Sequence, residues 1–213
     1  GGAGDVVHKV SITVAGVGAG VVASSSGESC GPTNETCDLS VVAGETITPT
    51  ATPEGEENGF LGWSGACTGS PTTCELTVED DATVTARFTP MFELSVRFDR
   101  SADCGTSNPA VVYVTTSVPG LSPENCASCG GYVCQARFPA GTELSVTATP
   151  GESGSTTGTC SDPGGVPTLA NPAITGSCTA NTEGGGFSTS PAACILTMNS
   201  NQNLVVWSCQ QSG

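Results

Sequence analysis

The segment Ala43–Pro53 (AGETITPTATP) returns as Ala140–Pro150 (AGTELSVTATP), with six of eleven positions identical at an offset of 97. Such an internal repeat confines the chain to an architecture that can be built twice in series. Cys37 and Cys134 fall at the same offset. The match therefore runs from a cysteine through an extended stretch, across an Ala-Gly turn and into a Thr-rich strand. Further on, Gly65, Cys67, Cys74, Leu76 and Thr77 correspond to Gly176, Cys178, Cys194, Leu196 and Thr197, the offset growing from 111 to 120 as loops are inserted. At the front of each copy, Val10, Ile12 and Val14 alternate with polar residues as Leu94, Val96 and Phe98 do. That period of two marks half-buried strands. The expected organisation is a tail at 1–5, a first copy at 6–89 and a divergent second copy at 91–209, with Pro90 as a short, semi-rigid link.

Composition sharpens the class. The 29 Gly and 14 Pro, with abundant Ser and Thr and few aromatic residues, predict short strands separated by turns and no long helices: an all-β fold. In the first copy, strands are expected near 7–15, 20–25, 37–42, 45–52, 74–79 and 82–89. Gly16-Val17-Gly18-Ala19-Gly20 and Glu79-Asp80-Asp81 are read as hairpin turns. The formal charge of −15 repels phosphate backbones and anionic headgroups, which argues against nucleic acid as a partner.

The chain carries twelve cysteines: Cys30, Cys37, Cys67, Cys74, Cys104, Cys126, Cys129, Cys134, Cys160, Cys178, Cys194 and Cys209. An even number beside a single histidine argues for disulfides, and disulfides place the protein in an oxidising compartment, at the cell surface or outside the cell. No apolar run reaches the roughly eighteen residues a membrane helix needs. The opening Gly1-Gly2-Ala3-Gly4-Asp5, without an initiating Met, reads as a mature form and is similar to the tether after a lipidated cysteine, so a lipid anchor upstream of Gly1 is expected as one possibility.

Ala15-Gly16-Val17-Gly18-Ala19-Gly20, the paired cysteines, the Ala-Gly turn with Thr-Ala-Thr-Pro, Phe60-Leu61-Gly62-Trp63-Ser64-Gly65-Ala66-Cys67 and the closing Val84-Thr85-Ala86-Arg87-Phe88 are together specific. This combination resembles the divergent internalin-B-type B-repeat of bacterial extracellular proteins. The resemblance covers nearly all of the first copy and, more loosely, the second. It implies two tandem, β-grasp-like domains acting as spacer, adhesive or stalk modules, with no catalytic residues and no cofactor. It also implies bridges Cys30–Cys37, Cys67–Cys74 and Cys178–Cys194.

The remaining six cysteines permit fifteen connectivities. With the Phe-x-Gly-Trp element missing from the second copy, Cys160 is set in its stretch and Cys209 at the position of Phe88, so that a Cys160–Cys209 bridge replaces an aromatic contact. Cys104–Cys126 and Cys129–Cys134 are the preferred split of the other four.

Other patterns invite chemistry without completing it. Cys126-Ala-Ser-Cys129 has the spacing of half a zinc site or a redox dithiol, but no histidine follows and the oxidised setting favours disulfides. Glu54, Glu56 and Glu57, like Glu79, Asp80 and Asp81, offer hard oxygen ligands without the spacing of a calcium loop, so no metal site is assigned. His8 is the only imidazole, and Ser64 lacks the second glycine of a nucleophile elbow. Asn34-Glu35-Thr36 is an N-glycosylation acceptor pattern. Trp63 is read as a core anchor.

Three functions compete. The leading reading is a non-enzymatic structural or adhesive module that meets a cell-surface protein or glycan. The second is a self-assembling fibre subunit, a homopolymer in which Asp5–Val14 adds as a strand to a neighbour's sheet edge. The third is a carbohydrate-binding module using the loops at 154–173 and 181–193.

Overall fold

The computed structural model describes residues 5–25, 27–100, 112–122, 125–127, 133–150, 173–177, 179–180 and 192–208. Among these there are strands, turns and bends but no helix, so the protein is all-β. The chain divides into two compact units between Met91 and Phe92.

The first unit contains β1 (Val7–Gly16), β2 (Gly20–Ala23), β3 (Ser29–Cys30), β4 (Thr36–Val42), β5 (Thr46–Ile47), β6 (Thr50–Pro53), β7 (Asn58–Gly65), β8 (Leu76–Thr77) and the first part of β9 (Ala82–Arg100). Its main sheet has the order β7-β9-β1-β4. Within it β1 runs parallel to β9 and antiparallel to β4. The alternation of β1 sends Val10 and Ile12 to one face, where they join Leu39 and Val41 of β4 and Val84, Ala86 and Phe88 of β9. That face is covered by Val22, Ala51 and Ile47 from the small sheets β3-β2-β6 and β5-β8.

The second unit contains the rest of β9, then β10 (Val112–Thr116), β11 (Val133–Pro139), β12 (Glu143–Pro150), β13 (Ala173–Gly176), β14 (Thr179–Ala180), β15 (Ala192–Thr197) and β16 (Gln202–Ser208). The later part of β9 lies between β16, which runs parallel to it, and β11. Its Leu94, Val96 and Phe98 pack with Leu204 and Val206 against Val112, Val114, Leu144, Val146 and Leu196 of the sheet β10-β12-β15-β14.

The pairing plan recurs in detail. In the first unit the Gly44 N–H donates to the Val78 carbonyl and the Val78 N–H to the Glu45 carbonyl; in the second, Gly141, Met198 and Thr142 make the same exchange. Gly65 and Gly176 both have positive φ, and a Cβ on either would strike the carbonyl oxygen of Thr83 or Asn203 respectively. Only glycine satisfies both demands.

Several expected elements take other forms. The stretch expected as one strand over 45–52 is split into β5 and β6 around Pro49, whereas its counterpart Glu143–Pro150 is continuous. The reason is local: Val146 stands at the repeat position of Pro49, and proline has no N–H for a ladder and a fixed φ. Neither expected hairpin forms. Glu79–Asp81 joins β8, paired with β5, to β9, paired with β1. Gly16–Gly20 joins β1, in the main sheet, to β2, which pairs with β3 and β6. Both are crossovers between layers. Pro90, expected as a link, lies within β9, two residues beyond the last β1 pairing at Phe88.

Candidate functional site

In the first unit the first and last strands are neighbours: Val10↔Ala82 through Gly16↔Phe88 makes seven parallel pairs. In the second unit the first and last strands are again neighbours, with seven parallel pairs from Gln202↔Leu94 to Ser208↔Arg100. All four of these strand segments are interior to their sheets, flanked by β4 and β7 in one case and by β11 and β13 in the other.

The expectation that Asp5–Val14 is a free donor strand is therefore overturned. From Val7 onward it is β1, paired with β4 over Val7–Thr13 and with β9 over Val10–Gly16, with Val10 and Ile12 buried. Donating it to a neighbour would first empty the centre of its own sheet.

Phe88 stands opposite Gly16 at the end of the first unit's parallel ladder. Its ring stands 5.5 Å from that of Phe60, which meets Trp63 edge-on at 5.2 Å. Trp63 is buried, as expected of a core anchor, and its indole N–H donates to the Pro71 carbonyl at 2.8 Å while its backbone N–H donates to Gly69. The Cys67–Cys74 disulfide closes the loop that carries both carbonyls. On the other side the Gly16–Gly20 crossover presses against β9: a Cβ at Gly18 would lie 2.5 Å from Thr89 backbone, and one at Gly20 would lie 2.3 Å from the Phe88 ring.

The disulfide framework matches the expectation in part. Cys30–Cys37 and Cys67–Cys74 are formed. The expected Cys104–Cys126 and Cys129–Cys134 pairs are not: Cys126 bonds to Cys134, with Cα atoms 5.4 Å apart. The signal was available in the repeat. Cys37 reaches back seven residues to Cys30, and Cys134, its counterpart at offset 97, reaches back eight to Cys126. Cys194 is disulfide-bonded to a residue outside those described. Cys104, Cys129, Cys160, Cys178 and Cys209 also lie outside them, and with them the expected Cys178–Cys194 and Cys160–Cys209 bridges.

The premise behind the last of these is corrected by register. Trp63 pairs with Ala86, and Ile174 pairs with Val206 at the equivalent place, so the stretch corresponding to Trp63 is β13 with a buried Ile174 and not the region of Cys160. Phe88 lies opposite Gly16, and Ser208 lies opposite Arg100; Ser208, not Cys209, holds the Phe88 position.

Polar candidates are dispersed. His8 Nδ1 lies 3.6 Å from Asp81 Oδ1, which also accepts the Lys9 backbone N–H. Ser64 is exposed on β7 opposite Thr85, which pairs with Thr13, five residues along β1 from His8. Along the strand direction alone that is roughly 16 Å, beyond any proton transfer. Asp38 accepts from Ser11 Oγ at 2.6 Å and from Lys9 Nζ at 3.3 Å, and these bonds hold its carboxyl below the usual carboxylate range. Among the described residues no three His, Cys, Asp or Glu side chains converge to hold a metal ion. No helix among them is long and apolar enough to cross a membrane. Asn34 is exposed in a tight turn in which its backbone and that of Gly31 exchange hydrogen bonds. The loops at 154–173 and 181–193 fall almost wholly outside the described residues.

No family model and no curated protein matches the chain. Among solved structures it is similar to the major pilin T-13 of Streptococcus pyogenes, at 8% identity over 98% of each chain with a TM-score of 0.33. It is also similar to a Mobiluncus mulieris adhesin containing intramolecular disulfide, isopeptide and ester cross-links, at 10% identity over 83% of this chain and 66% of that one, TM-score 0.35. The shaft pilin SpaA of Lactobacillus rhamnosus GG gives 9% identity over 98% of this chain and 99% of that one, TM-score 0.27.

Proposed function

We propose that the chain is a non-enzymatic structural or adhesive module of the bacterial exterior, built from two divergent B-repeat-like units. The observation that carries this reading is the bonding of every described cysteine in a disulfide within an all-β chain. Disulfides persist in oxidising surroundings and substitute for core size in small domains. The separation of His8 from Ser64 supports a role without catalysis. On the same reading Asn34, exposed at the tip of a disulfide-closed loop, is the glycan acceptor where the producing cell modifies such sequons.

The test is protease shaving of intact cells that produce the protein, followed by light scattering on the purified chain. Release of its peptides from the cell surface and a monomer in solution are expected. Retention inside intact cells would sink the reading. Concentration-dependent filaments would replace it with a fibre subunit, joined by some route other than donation of the first strand.

A further inference from the structure

We infer that each unit is a tension-bearing clamp: its parallel pair of first and last strands is loaded in shear when the chain is pulled from its ends. The inference rests on the surface-module reading for its purpose, since a module that holds something away from a cell is pulled along its chain. Its mechanical content rests on the pairing alone.

In the first unit the chain enters at the start of β1 and leaves through β9. Because the two run parallel, the entering end of β1 and the leaving end of β9 lie at opposite ends of the ladder Val10↔Ala82 to Gly16↔Phe88. Tension slides one strand along the other, so the inter-strand hydrogen bonds, which lie across the pull, resist together. The second unit repeats the geometry. Its chain enters through β9 and leaves through β16, with parallel pairs from Gln202↔Leu94 to Ser208↔Arg100.

An antiparallel pair pulled at its open end behaves otherwise. Val7↔Val42 through Thr13↔Thr36 begins where β1 starts and β4 ends, so pulling those two points apart loads one bond at a time.

Two further features suit the parallel ladders to the task. Both strands of each are interior to a sheet, and Val10, Ile12, Val84, Ala86 and Phe88 beside one ladder are wholly or nearly wholly buried, as are Leu94, Val96, Leu204 and Val206 beside the other. Water, which competes for strained hydrogen bonds, is kept from the apolar face. In the first unit, moreover, Cys30–Cys37 and Cys67–Cys74 both leave β1 and β9 unlinked. The ladder itself therefore sets the rupture force, and the bridges limit how far the unit extends afterwards.

The experiment is single-molecule pulling of the full chain in two geometries. One carries handles at both chain ends; the other carries a handle at the N-terminus and one at Ala43, an exposed position replaced by azidohomoalanine. Rupture in the end-to-end geometry is expected at several-fold higher force than in the Ala43 geometry, forced rupture being governed by the barrier along the pulled path. Equal forces in the two geometries would overturn the clamp. In a reducing buffer the end-to-end rupture force of the first unit is expected to persist while its extension lengthens by about 40 Å, at roughly 3.5 Å per released residue. A fall to the Ala43 force on reduction would also overturn it. Neither result bears on location: a chain retained inside cells would defeat the surface reading and leave the clamp standing, whereas equal forces on a surface-exposed chain would do the reverse.

Discussion

Trp63 shows how much one side chain carries when a unit has few aromatic residues. It fills the end of the first core, stands edge-on to Phe60 and spends its one indole donor on Pro71. Trp63→Ala is expected to cost about 3–5 kcal/mol, read as a shift of the urea midpoint by circular dichroism; a shift near zero would mean the loop closed by Cys67–Cys74 collapses onto the gap. Asp38 makes a pH prediction. Ser11 first, and Lys9 after it, hold its carboxyl below the ordinary value of 3.8. A folded carboxyl that titrates below its unfolded counterpart stabilises the fold above the unfolded range, and that contribution is lost as pH falls through the folded value. Asp38→Ala should therefore lower stability at neutral pH and flatten its decline on the acid side of that range, in urea titrations across a pH series. The buried alternation of Val10 with Ile12 and of Leu94 with Val96 was legible from period alone. The hydrogen bonds of Asp38 were not, because they depend on β4 lying beside β1.

At the scale of elements, one residue difference between the copies decides strand continuity. Pro49 divides β5 from β6, while Val146 keeps β12 whole, paired with β10 on one side and β15 on the other. Val146→Pro is expected to cost about 3 kcal/mol or more, because it removes a donor in the middle of a paired strand. Differential hydrogen exchange should show the loss of protection in β10, β12 and β15 and not in β1. The bridge Cys126–Cys134 is tested as directly. The double variant Cys126→Ala with Cys134→Ala should expose no new titratable thiol, whereas the pairing with Cys104 and Cys129 would free a thiol at each of those two. The two hairpins read at Gly16–Gly20 and Glu79–Asp81 were misread for one physical reason. Turn-forming residues signal that the chain changes direction, and they do not say whether the next strand pairs with the last one or crosses to another layer.

The whole molecule is two sequence-related units of one plan, with a formal charge of −15. Repulsion between copies keeps such a chain apart at neutral pH, and it fades as carboxylates are neutralised. Light scattering should find monomers at neutral pH and self-association as the pH approaches the isoelectric point near 4.1; association strongest at neutral pH would point to a specific assembly instead. The sequence by itself determined the all-β class and the pattern of a repeat at offset 97, and its resemblance to the B-repeat implied the Cys30–Cys37 and Cys67–Cys74 bridges. The class and the repeat depend on short-range properties: period and turn residues. Only the tertiary structure decided that β1 is a central strand and not a free donor, that Cys126 reaches Cys134, and that each unit closes by laying its last strand parallel to its first. Those outcomes pair residues far apart in the chain, and what selects among such pairings is which apolar faces can be buried together, a quantity that no local stretch of sequence contains.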